Sequence, residues 1–133
     1  MHSPRKQPVV APKKILLVDD DAQLGREMLD RARAFGIQLD AIPSASMQKA
    51  LPHLEAYDAV MLSYDMDAFT GLEIAEFIGS KLPHKTLVMV ADSLKPWQER
   101  PRSIPAVRAV VSKWDGIDTM LAKTLTALHL NHD

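Results

Sequence analysis

The 133-residue chain has no cysteine. Disulfides and thiolate catalysis are therefore excluded, and a reducing cytoplasm suits the chain. Its net charge is only −1, so no field of one sign favours nucleic acid or an anionic membrane surface. No apolar run approaches the roughly 20 residues needed to span a bilayer. The basic opening MHSPRKQPVVAPKK lacks the apolar centre of a signal peptide. What is present is an ordinary globular composition, 47% hydrophobic and 25% charged. The length fits one domain, large enough to bury roughly 65–70% of its unfolded surface. Residues 1–12, rich in proline and poor in large apolar side chains, read as a flexible tail, and residues 13–131 as a single domain.

Five short apolar runs alternate with helical periodicities. KKILLV (Lys13–Val18) reads as a strand buried on both faces. Leu24, Met28, Ala32 and Phe35 then recur at helical spacing until Gly36 stops the helix. Residues 37–42 form a second strand. Met47, Ala50, Leu51 and Leu54 make one face of a short helix, with Ser46 as its expected N-cap. A third strand covers residues 59–63. Thr70 and Glu73 have the spacing of a capping box, which starts a helix at Gly71 whose expected buried face is Leu72, Ala75, Ile78 and Leu82. Residues 86–90 and 107–111 are the last two strands. Asp115 is the expected cap of a final helix buried through Ile117, Met120, Leu121, Thr124, Leu125 and Leu128. Between the last two strands, Pro96, Pro101 and Pro105 limit any helix to one or two turns.

This β-α order implies a doubly wound parallel sheet with function at the carboxyl ends of its strands. The candidate loops are then 19–21, 63–67, 91–93 and 112–114. At this point the chain resembles a response-regulator receiver domain, of the CheY-like, flavodoxin-like type, from Lys13 to about Leu130. ILLVDDD resembles the first strand and acidic pair, DAVMLSYDMDAFTGLE the third strand and active loop, and VVSKW the last strand with its lysine. The resemblance implies a five-stranded (βα)5 fold of order 2-1-3-4-5, here with a shortened or irregular fourth helix. It also implies phosphotransfer from a histidine kinase to an aspartate, assisted by Mg²⁺.

Carried over residue by residue, the resemblance exposes departures. Asp19 and Asp20 match the acidic pair, a cation-capable arrangement, while Asp21 is free to cap the first helix. Ser63 stands at the phosphoacceptor position. A serine hydroxyl needs a base to activate it, whereas a carboxylate is already anionic. Asp65 matches a position that gives a backbone carbonyl to the metal, and it is the only nearby surrogate acceptor. Because a strand ending at Ser63 breaks the two-residue alternation, its side chain is not expected to replace the acceptor. Asp67 stands where a proline is usual and is expected to be solvated. Ala91 takes the place of the switch hydroxyl, and Asp92 beside it adds a negative charge. Lys113 matches the phosphoryl-binding lysine and is expected to pair with Asp92 or Asp19. Trp114 replaces a proline that follows a cis bond, so a trans Lys113–Trp114 bond is expected. Val110 replaces the switch aromatic.

The changes share one direction: the fold pattern stays and the phosphorylation parts go. The resulting expectation is a pseudo-receiver of two-component signalling, not an enzyme, that requires no cofactor and acts by contact with a protein partner or a second copy. Trp97 and Trp114 mark its expected partner surface, although a tryptophan there can equally cover the local core. Ile74 and Phe77 fall outside the expected buried face of their helix and mark either a second patch or a wider core contact. One alternative is a working receiver phosphorylated on Asp65 with Mg²⁺ held by Asp19, Asp20 and Asp65. A remote one is a haloacid-dehalogenase-like phosphatase, suggested by the D-x-D of Asp65 and Asp67.

Overall fold

The computed structural model describes residues 11–92, 101 and 103–130. Its elements are β1 (Lys13–Val18), α1 (Ala22–Ala32), β2 (Ile37–Ile42), α2 (Met47–Ala50), β3 (Ala59–Ser63), α3 (Gly71–Lys81), β4 (Thr86–Ala91), β5 (Val107–Ser112) and α4 (Ile117–Leu130). The strands form one parallel sheet of order β2-β1-β3-β4-β5. This is the doubly wound receiver topology expected from the sequence. The tail (residues 1–10) and the expected irregular helix after β4, with Trp97, lie outside the described residues.

Strand alternation divides the core in two. Ile15, Leu17, Met61, Val88 and Val90 face α1 and α4. Leu16, Val18, Val60, Leu62, Leu87 and Met89 face α2 and α3. Both faces are covered, which is why the strands are continuously apolar rather than alternating.

Local signals explain most boundaries. Asp21 caps α1 by accepting the Gln23 and Leu24 amides at 3.0 and 3.1 Å. After α1 the chain tightens into a 3₁₀ turn at Arg33–Phe35, and Gly36 ends it at φ 69°. The Thr70–Glu73 capping box is complete at the start of α3.

Four expectations need correction. Ser46 makes no capping bond. α2 is a single turn between 3₁₀ segments at Ser44–Ser46 and Leu51–Ala56, because Pro52 supplies no amide to continue α-type bonding. Asp115 does not stand at the start of α4. Gly116, at φ 92°, intervenes and its carbonyl accepts the Met120 amide, while the Asp115 carboxylate reaches Lys123 at 3.3 Å. The buried face of α3 is Gly71, Ile74, Ala75 and Ile78, so Ile74 is buried (7% exposed) and Leu72 is not (40%). Gly71 decides this rotation. A Cβ there would stand 1.9 Å from the Ser63 carbonyl oxygen, so the helix start lies directly on the end of β3.

Candidate functional site

The hydrogen bonds and ion pairs sort the residues at and beyond the strand ends into two groups. Asp19 continues the row of Ile15 and Leu17, and Ser63 that of Ala59 and Met61. Asp92 continues Val88 and Val90, and Lys113 follows Val111. All four project on the α1/α4 side. Asp20 continues the row of Leu16 and Val18 and projects on the other side, toward the loops before α2 and α3.

The first group is a cluster built around one cation. Asp19 is buried, its side chain only 4% exposed. The Ser63 hydroxyl donates to Asp19 Oδ2, and the Asp21 amide donates to Oδ1 at 2.8 Å. The Lys113 ammonium lies 3.1 Å from Asp19 and 3.1 Å from Asp92, so one cation spans both of the carboxylates named for it from the sequence. Burial pushes the Lys113 ammonium down in pKa, but its bonds to Asp19 and Asp92 more than reverse this and leave it above the usual lysine value.

The second group is a clamp built on Asp20. Its carboxylate accepts the Ser44 amide at 2.7 Å, the Ser44 hydroxyl at 2.9 and 3.0 Å, and the Asp67 amide at 2.6 Å. The Ser44 hydroxyl oxygen in turn accepts the Ala68 amide at 3.1 Å. Two loops are thus tied to the end of β1 through one carboxylate. Burial pushes the Asp20 carboxyl up, but the bonds from Asp67 and Ser44 outweigh it and hold the pKa below the usual carboxylate range. Ser44 is buried, and the sequence reading did not include it. The signal was available: Ser44 follows β2, which neighbours β1, so its loop belongs with the other strand ends.

The remaining site residues are less engaged. Asp65 is exposed beyond the end of β3. Asp67 is exposed and contributes its backbone amide rather than its carboxylate. Ala91 is buried and offers no hydroxyl. Trp114 is 79% exposed, and its amide donates to Ser112 Oγ at 3.1 Å. The Lys113–Trp114 bond is trans, as no cis bond occurs among the described residues.

A Mg²⁺ ion asks for near-octahedral oxygen ligands, and the donor set does not fit one. Asp20 is filled by amide and hydroxyl donors, and Asp19 already faces an ammonium, an amide and the Ser63 hydroxyl. Among the described residues no three His, Cys, Asp or Glu side chains gather as a metal-holding group.

No family model and no curated protein matches the sequence. Solved structures do. A response regulator receiver domain protein from Clostridium thermocellum superposes with TM-score 0.77 at 14% identity, covering 90% of this chain and 97% of that one. The chemotaxis response regulator CheY4 of Vibrio cholerae gives 0.73 at 18%, covering 88% and 98%. The response regulator protein TrrA from Thermotoga maritima, in complex with Mg²⁺ and BeF, gives 0.71 at 23%, covering 86% and 98%. The chain therefore has the receiver fold.

Proposed function

We propose that the chain is a receiver-type module of two-component signalling that works by protein–protein contact without phosphoryl transfer to its strand-end residue. One observation carries this reading: Ser63 ends β3 with its hydroxyl given to Asp19, whose carboxylate is already paired with Lys113. An incoming phosphoryl group would meet a neutral nucleophile, two carboxylates and a lysine bound to both. No metal is needed, because the ammonium balances the buried charge. The exposed Trp114 supplies an aromatic anchor for a protein partner. Neither nucleic acid nor membrane enters the reading: the net charge is −1, and no described helix is long and apolar enough to cross a bilayer. The module is non-enzymatic and works in the cytoplasm.

Treatment with acetyl phosphate or beryllofluoride, with and without Mg²⁺, tests the reading. Intact-mass measurement and amide NMR should show no adduct and no shift at residues 19–21, 63–67 and 91–92. A Mg²⁺-dependent adduct that disappears in Asp65→Asn would establish the working receiver instead. The phosphatase reading has less support: its D-x-D follows the third strand in chain order, and Asp19 and Asp20 already have structural partners.

A further inference from the structure

The outward side of α3 carries an exposed stripe of one acidic, one aromatic and one basic side chain. Glu73, Phe77 and Lys81 are spaced four residues apart, so they form one stripe along the helix, and all three are exposed. Phe77 is 46% exposed. Among the described residues neither Glu73 nor Lys81 has an ion-pair partner. The Lys81 ammonium rests 5.9 Å from the Phe77 ring centroid, and the Thr70 amide and hydroxyl both donate to Glu73 Oε1. Beside the stripe runs a groove of about 350 Å³, walled by Leu51, Pro52 and Leu54 on one side and by Phe77, Lys81 and Leu82 on the other.

We propose that the chain forms a two-fold dimer in which two α3 helices pair antiparallel with Phe77 at the axis. The charge pattern selects a second copy as the occupant. In an antiparallel pair centred on residue 77, position 73 faces position 81 of the partner. Each end of the contact then sets Glu73 against Lys81, twice over by symmetry. That is the self-complementarity an isologous interface requires. Parallel pairing would place like charges side by side. The apolar part fits as well, since each Phe77 can enter the partner's Leu51–Pro52–Leu54 groove. That wall is needed: an 11-residue helix is only about 16 Å long, and a stable interface buries roughly 1,200 Å² or more in total. The exposed ion pairs set register more than affinity. Leu72 takes no part, because it lies about 140° around the helix from Phe77. The dimer is independent of whether Ser63 or Asp65 accepts phosphate.

Sedimentation equilibrium of the full chain at about 100 µM, well above a micromolar dissociation constant, tests the proposal. The expected mass is twice the 14.8 kDa of one chain. Phe77→Glu should return single-chain mass, and Leu72→Glu should leave the dimer intact. Glu73→Lys and Lys81→Glu should each weaken self-association about tenfold or more, and mixing the two variants should restore a mixed dimer. Thr70 still caps the Glu73→Lys helix through its hydroxyl, and circular dichroism checks that every variant is folded. Single-chain mass in the wild type would overturn the proposal, as would a dimer that survives Phe77→Glu. A mixture that fails to recover would overturn the antiparallel register.

Discussion

Asp19 and Asp20 are neighbours in the chain, yet they anchor two different kinds of structure. On the α1/α4 side, Asp19 belongs to a charge cluster in which Lys113 bridges two carboxylates and the Ser63 hydroxyl donates to Asp19. On the α2/α3 side, Asp20 belongs to a clamp made of neutral donors, two amides and one hydroxyl. The difference teaches that an acidic pair at a strand end need not act as a pair. The two side chains leave the end of β1 toward opposite faces, and each is satisfied by what its own face supplies.

The largest effect should come from disturbing what both halves share. Gly71→Ala would drive a methyl into the Ser63 carbonyl, and backbone cannot yield as a flexible side chain can. A loss of about 3 kcal/mol or more is expected in urea denaturation. A loss within experimental error would mean that α3 does not rest on β3 in solution.

Next in size is the charge cluster. Lys113→Met leaves Asp19 buried without its cation, at a cost of about 2 kcal/mol. The double variant with Asp19→Asn should recover much of that loss, a coupling that a double-mutant cycle measures directly. The Lys113 pKa is raised in the folded state. Its contribution is therefore complete below the ordinary lysine value, about 10.4, and declines as pH rises through the folded one. Additive single and double losses would show that the two groups do not interact.

The clamp should respond differently. Ser44→Ala removes one donor to Asp20 and the acceptor for the Ala68 amide. About 1 kcal/mol is expected. Amide exchange should accelerate at Asp67 and Ala68 while Ser63 and Val90 stay protected. Acceleration spread over both sides of the sheet would erase the distinction between cluster and clamp.

The smallest effect is in acid. The Asp20 pKa is lowered by folding, so its stabilisation is present above about pH 4 and is lost as pH falls through the depressed folded value. Asp20→Asn should flatten that part of the stability–pH curve relative to wild type. An unchanged slope would mean that Asp20 carries no proton-linked stability.

Much of the architecture was legible from short-range signals. Five apolar runs, the Asp21 cap, the Gly36 stop and the Thr70–Glu73 box depend on neighbours within a few residues, so the sequence shows them directly. The face of α3 was not legible. Leu72 and Ile74 are equally apolar, and the choice between them follows from Gly71 meeting a carbonyl eight residues back in the chain. The candidate site divided the same way. Asp19, Ser63, Asp92 and Lys113 could be named from their places at strand ends. Ser44 was missed because its only signal is its place after β2, the neighbour of β1, and not any local pattern.

The sequence by itself determined the succession of five strands and their helices, the absence of a carboxylate at position 63 and the absence of a hydroxyl at position 91. These are matters of residue identity and hydrophobic periodicity, whereas the strand order followed from the receiver resemblance. Only the tertiary structure decided what the retained acids do. Hydrogen bonds and ion pairs depend on distances of about 3 Å between groups far apart in the chain. Those distances exist only after the sheet has brought Lys113 to Asp19 and Ser44 to Asp20.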